Sequence, residues 1–471
     1  MRSLEPIRSV ACLAALSLLA SCSLAPDYRQ PTIETPSTFK EMPSGWSAAA
    51  PAADAPPQAW WQAFGDPELN RLEEQIEKGS PSLAIALARY DEATGALRQV
   101  KADLLPRVYA GGQASRDSAS QNRPLGTGQS ATYNDYQAGA SFAWELDLFG
   151  RIRNSVKAGH AEAQASAADV AGVRLALQAQ VASAYFQMRG LDAREDLLRQ
   201  TVKAYERAYD LTDTRHDGGI SSGLDTSRAR AQLTIAQAEL EGIPAQRAAF
   251  EHAIAVLVGE PASSFSLPAS TILPATPAFS VGTPSTLLQR RPDIDAAERR
   301  VFAANARIGV ARAAFFPTLT LGGGGGFQTT GPDLLSSASS FWALGPASLS
   351  QTIFDGGKRA AGVRIARAEF AQASANYKQI VLDAFKEVED DLANGRYLRR
   401  QEKAMSSAVE AADTTRELAL TRYRDGASDY LDVVTAQTAA LDAERSLLDL
   451  RTRELTVAVD TVRSLGGMVG E

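Results

Sequence analysis

The sequence predicts a mixed α+β membrane protein in which four amphipathic β-strands and two pairs of very long α-helices form two copies of one unit. Three observations carry this prediction. The chain is self-similar at a spacing of about 210 residues. Apolar and polar residues alternate over runs of about a dozen, and elsewhere apolar residues recur in steps of three and four for more than about fifty positions.

Composition narrows the class. The chain has 471 residues, of which 45% are hydrophobic and 22% charged, so it buries a large core and is neither disordered nor fibrous. Its only long apolar run is N-terminal, which excludes a polytopic helical membrane protein. Two cysteines and three histidines leave little material for a disulfide scaffold or a Cys/His metal site. A net charge of -7 argues against nucleic acid as a partner.

Residues 1–21 carry Arg2 and Arg8, the apolar stretch Val10 to Ala20 and then small residues, the order of a secretory signal peptide too short to span a bilayer. Leu19-Ala20-Ser21-Cys22 resembles the bacterial lipobox, which implies a covalent lipid on Cys22. Several acyl chains make a real anchor where one is marginal. Ser23 is not the Asp associated with inner-membrane retention, and 22–58 reads as a lipidated, extended tether rich in Pro, Ala and Ser.

The duplication rests on four anchors in one order. Asp103 to Gly112 echoes Ala314 to Gly323, Leu148-Phe149 echoes Ile353-Phe354, Arg215 to Asp225 echoes Arg422 to Asp432, and Gly190 echoes Gly395. The first repeat is placed at 59–258, a Pro-rich linker at 259–286 and the second repeat at 287–471. Each reads helix, strand, strand, long helix, tip, helix.

From Tyr136 to Leu148 every second residue is apolar, the mark of a strand with one greasy and one wet face. Strands are expected at about 105–118, 133–149, 316–329 and 340–354, long enough to cross a bilayer. Between about Ser155 and Leu211 the apolar residues Val170, Val173, Leu177, Val181, Ala184, Met188, Leu191, Leu198, Val202, Tyr205 and Tyr209 step at close to 3.5, the coiled-coil repeat. Such a helix is roughly 85 Å long. Return helices start near Leu224 and Leu431. Four strands cannot close a barrel, which takes about eight or more, and an open edge cannot face lipid. Several copies must therefore contribute; three would give 12 strands above a cylinder of helices.

At this point the chain resembles the TolC-like outer-membrane efflux proteins, and among them the NodT-type lipoproteins of RND-type tripartite systems. The resemblance rests on Cys22 to Tyr28, Trp60-Trp61 to Pro67, Arg290-Arg291-Pro292-Asp293-Ile294 with Ala297-Glu298, Ile308 to Arg312 leading into Phe316-Pro317, and Tyr423 to Gln437. It implies a homotrimer with a 12-stranded barrel, four strands per chain, continuous with an α-helical coiled-coil tunnel through the periplasm. The chain would be the passive exit duct for drugs or other toxic small molecules, docked to a periplasmic adaptor and an inner-membrane RND-type pump, and no enzyme. The same fold also serves metal-ion efflux and type I secretion.

The resemblance also assigns residues. The tips at about 217–223 and 425–429, with Gly218, Gly219, Ile220 and Ser221 in the first and Asp425, Gly426, Ala427 and Ser428 in the second, would dock the adaptor. Asp432 would line the pore constriction, with Asp429 and Leu431 close by, and Thr435 and Thr438 stand where many relatives carry charge. Tyr423 and Asp225 match a pair that ties neighbouring coils, so a Tyr423–Asp225 bond is expected in a closed state.

Other motifs fail on context. Gly219-Ile-Ser221-Ser-Gly223 fits a hydrolase elbow but follows a helix, not a strand. The glycines 322–326 lack the Lys-Ser/Thr of a phosphate loop, and His160, His216 and His252 have no ligand spacing. Trp60 and Trp61 read as a packing anchor, and Arg290-Arg291 as capping or pairing near Asp293 and Glu298. A periplasmic adaptor would show one helical hairpin without tandem strands, and an envelope coiled-coil lipoprotein no strands at all.

Overall fold

The computed structural model describes residues 23–42, 59–122, 128–277, 283–331 and 333–467. The signal segment and Cys22 lie outside them. The described chain opens on a 3-10 turn, Trp60–Phe64, and then runs α1 (Pro67–Gly79), α2 (Pro81–Ala102), β1 (Arg107–Ala119), β2 (Ala131–Leu146), α3 (Arg151–Asp217) and α4 (Gly223–Val258). After 259–283 come α5 (Pro284–Arg290), α6 (Pro292–Ala313), β3 (Thr318–Thr329), β4 (Ser340–Ser350), α7 (Lys358–Arg424) and α8 (Tyr430–Ser464). At 67 residues each, α3 and α7 measure about 100 Å along the axis. No helix of the described residues is long and apolar enough to cross a membrane.

One compact unit comprises residues 23–32, Arg89–Ala167 and Ala296–Lys378. Its sheet is antiparallel in the order β1-β2-β3-β4, so β1 and β4 are free edges. Gly111, Gly139 and Gly326 stand opposite one another across three strands. A Cβ on Gly326 would lie 2.2 Å from the Ala138 carbonyl oxygen, so the backbones approach too closely for any side chain there. The edge strands leave Val108, Tyr109, Trp342, Leu344 and Leu349 exposed, Trp342 at 83%.

β2 and β4 stop earlier than alternation alone indicates. β2 ends at Leu146 because both Asp147 carboxylate oxygens accept backbone N–H groups of Ile152 and Arg153, at 3.1 and 2.8 Å, and open α3. β4 ends at Ser350, and Asp355 accepts from the Gly357 and Arg359 amides at 3.0 and 3.1 Å to open α7. In both copies an acid just past the strand opens the next helix.

The segment read as a tether is held down from Ser23 onward. Ser23 Oγ donates to Asn154 Oδ1 at 3.0 Å, and Arg312 and Asn305 donate to the carbonyls of Leu24 and Pro26 at 3.2 and 2.9 Å. It passes so close to α6 that a Cβ on Gly309 would meet the Ala25 nitrogen at 2.8 Å.

The other unit comprises residues 33–88, Ala168–Asp295 and 379–467. Its core joins Trp60, Phe64, Leu69, Leu72 and Ile76 to Leu177, Val181, Tyr185, Phe186 and Met188 of α3, Ile254 and Val258 of α4, and Leu455, Val459 and Val462 of α8. Asp66 caps α1 through the Glu68 and Leu69 amides and accepts the Tyr185 hydroxyl at 2.7 Å. The linker after α4 is held by buried charge: Asp192 takes Arg189 at 3.0 Å and Arg247 at 2.6 Å, while those arginines donate to the carbonyls of Pro268 and Leu267. Arg291 pairs with Asp293 at 2.6 Å and Glu387 at 2.8 Å.

Candidate functional site

The residues singled out at the tips fall in the two turns between paired helices, α3–α4 and α7–α8, both within the second unit. The turns share one backbone solution. In the first, Gly219 sits at φ +72° and donates to the His216 carbonyl at 2.8 Å, while Ile220 donates to Arg215 at 2.8 Å. In the second, Gly426 sits at φ +74° and donates to Tyr423 at 3.1 Å, while Ala427 donates to Arg422 at 2.8 Å. This is the Schellman ending, which satisfies the last carbonyls of a helix and needs a left-handed residue that glycine adopts without strain. Gly218 and Asp425 end the two helical runs, and Ile220 is 73% exposed.

The return helices begin differently. Ser222 caps α4: its hydroxyl meets the Asp225 amide at 3.3 Å and the Asp225 carboxylate reaches back to the Ser222 amide, a full capping box. Asp429 occupies the matching position of α8 without a side-chain capping bond. Ser221 Oγ donates to the Thr212 carbonyl at 3.0 Å, so it is engaged with backbone, and Ser428 Oγ is buried without a partner among the described residues.

On α8, Asp429, Leu431, Asp432, Thr435 and Thr438 all lie exposed, Leu431 at 48%, while Tyr430, Val433, Ala436 and Gln437 are buried. Leu431, Thr435 and Thr438 follow i, i+4, i+7 and make one stripe, with Asp432 beside it. Thr435 Oγ1 bonds back to the Leu431 carbonyl at 2.9 Å, and Thr438 Oγ1 accepts from Gln232 of α4 at 3.3 Å.

The expected Tyr423–Asp225 bond is not formed. Tyr423 is buried, its hydroxyl has no partner among the described residues, and the Asp225 carboxylate is turned to Ser222 at 2.8 Å. The phenol ring instead packs edge-on against Tyr430, centroids 5.3 Å apart at 64°, in a small core with Ala229 and Val433. Burial pushes the Tyr430 hydroxyl up to about 12.

A residue that sequence reasoning treated only as a repeat marker joins the turns. Arg215, in the last turn of α3, donates to the Tyr423 carbonyl at 2.6 Å and to the Arg424 carbonyl at 3.4 Å, with its guanidinium 4.7 Å from the Tyr423 ring centroid. A cation is favoured where a helix exposes its last carbonyls, but the helix served is α7, about two hundred residues on. The available signal was a cation in the final turn of α3, which does not name its partner.

His160 and His252 lie within helices, and His216 Nδ1 contacts the Ser221 carbonyl oxygen at 3.0 Å. Among the described residues no group of three His, Cys, Asp or Glu is arranged to hold a metal ion.

The sequence model for outer membrane efflux proteins matches residues 72–260 and 283–467. Over 460 residues the chain is 33% identical to the toluene efflux pump outer membrane protein TtgC of Pseudomonas putida, covering 96% of this chain and 93% of that relative. Over 472 residues it is 30% identical to the cation efflux system protein CusC of Escherichia coli, covering 98% and 99%. The solved outer-membrane channel OprN shares the fold at a TM-score of 0.88 and 32% identity, with 95% of this chain and 99% of that one covered. Strands, paired long helices and near full-length similarity agree, and the chain belongs to the outer membrane efflux protein family.

Proposed function

We propose that this chain is the exit duct of a tripartite efflux pump, a homotrimer in which each copy donates its four strands to one 12-stranded barrel. The observation that carries the reading is the sheet itself: four strands with two free edges, β1 and β4, and large apolar side chains left bare along both. In lipid such edges must be paired, and pairing β4 of one copy with β1 of the next closes the barrel. The paired long helices then continue the duct into the periplasm, where a periplasmic adaptor and an inner-membrane RND-type pump engage the turns around Gly218–Ser221 and Asp425–Ser428. The exposed stripe of Leu431, Asp432, Thr435 and Thr438, with Asp429 at its head, faces the pore and narrows it. A lipid on Cys22 adds an anchor in the outer membrane.

Selection of cargo is left to the pump. The chain is 33% identical to a relative named for toluene and 30% identical to one named for cations, so overall likeness does not separate solvents, drugs and metal ions. The test is heat-modifiable trimer bands in the outer-membrane fraction together with single-channel conductance of the purified protein. Monomers without conductance would sink the reading. For the anchor, palmitate labelling that persists in Cys22→Ala would refute lipidation.

A further inference from the structure

We propose that Arg215 is the positioning residue that couples the two helical turns, holding the α7–α8 turn, and with it the Asp432 stripe, in register with the α3–α4 turn. This inference rests on the exit-duct reading for its meaning, though not for its geometry. Three contacts converge on one side chain: hydrogen bonds to the carbonyls of Tyr423 and Arg424 and the face of the Tyr423 ring. The planar guanidinium suits this task, because it stacks on an aromatic ring while its edge donates in two directions.

Two uncharged links also join the hairpins here, the apolar core of Ala229, Tyr423, Tyr430 and Val433 and a Tyr430–Thr212 side-chain hydrogen bond to α3, and Arg215 adds the charged one. The Tyr423 hydroxyl has no partner among the described residues, and Asp225 is spent in its own capping box. The remaining side-chain bond between α4 and α8 near the turns, Gln232 to Thr438, is neutral and long at 3.3 Å. Behind the turns α3, α7 and α8 leave a cavity of about 580 Å³, lined in part by Tyr205, Leu211, Leu420 and Leu441. The second turn therefore has room to move once it is released. Arg422, the repeat counterpart of Arg215, is exposed, and the contact between the turns is made by the arginine of the first.

The test compares Arg215→Gln, Arg215→Lys and Arg422→Gln in the full-length protein. The readouts are planar-bilayer conductance, amide hydrogen exchange of residues 422–427, and the melting of the detergent-solubilised oligomer. Losing a charge-assisted bond shifts a two-state equilibrium by roughly tenfold. Arg215→Gln is expected to raise mean conductance, and the exchange of the Gly426 and Ala427 amides, by about that factor while the melting temperature stays unchanged. Arg215→Lys keeps a cation at the end of α7 but loses the planar fork, and falls between. Arg422→Gln matches the unmodified protein. Unchanged conductance with unchanged exchange in Arg215→Gln overturns the proposal, as does an equal effect in Arg422→Gln. So does a Tyr423→Phe channel that opens while Arg215→Gln stays silent. If the unmodified protein gives no conductance at all, the exit-duct reading fails, and hydrogen exchange still reads the coupling by itself.

Discussion

The two turns end their long helices with the same backbone motif at a spacing of 207 residues, Gly219 matching Gly426, yet they are stabilised in opposite ways. The first is self-contained. Ser222 and Asp225 satisfy each other's amides, and its apolar residue Ile220 projects into solvent. The second lacks a capping bond at Asp429 and relies on contacts beyond its own loop: the Tyr423–Tyr430 pair behind it and a cation borrowed from the first. Duplication preserved the dihedral angles, while the side chains diverged so that one turn supports the other. On the reading proposed above, the dependent turn is the one that carries Asp432.

The largest expected effect tests the aromatic pair. Tyr430→Ala removes a fully packed ring and should cost roughly 3–5 kcal/mol on thermal unfolding. The matching position in the first turn is Gly223, where no such loss is available. Next come the two turn glycines. Gly219→Ala and Gly426→Ala each force a Cβ into the left-handed region at about 1–2 kcal/mol, and clearly unequal costs would show that the two backbones are not equivalent. Smaller still, Ser222→Ala should cost about 1 kcal/mol by removing a cap, whereas Asp429→Ala should change stability by no more than about 0.5 kcal/mol. Equal losses at these two positions would break the contrast drawn here.

A final effect appears only in base. The Tyr430 hydroxyl ionises near 10.0 when unfolded and at about 12 when folded, because burial disfavours the phenolate. Between those values the folded chain holds a proton that the unfolded chain has lost, so stability falls as pH rises through that window. The second turn, which carries the tyrosine pair, should lose hydrogen-exchange protection across that window once exchange rates are corrected for pH. Tyr430→Phe should reduce the slope without abolishing it, because burial also raises Tyr28, Tyr185 and Tyr205.

Much of the architecture was legible locally. The apolar series from Val170 to Tyr209 is buried or half-buried along α3 throughout, because a helix that packs on neighbours for its whole length keeps repeating the same face. The alternation after Tyr136 likewise marked β2, and the run Gly322–Gly326 lies in β3, with Gly326 where the strands come too close for a side chain. Strand ends were less legible, since Asp147 fits a polar strand rhythm and only its bonds to the next helix reassign it. Glu73 sits at an inward position of α1 beside Leu72 and Ile76, fully buried and without a partner among the described residues, and burial holds its carboxyl well above the usual range. Periodicity marks that position as inward but gives no reason for an acid there.

The sequence by itself determined the duplicated plan, the long coiled helices, the four two-faced strands and the glycine turns. Each of these depends on neighbours within a few residues, so the pattern that causes it is written beside it. Only the tertiary structure decided which turn supports which, that Tyr423 meets Arg215 and not Asp225, and that residues 23–26 lie along α3 and α6. Those choices depend on where a helix about 100 Å long brings its far end, and contacts made across some two hundred residues of chain leave no periodic trace around either partner.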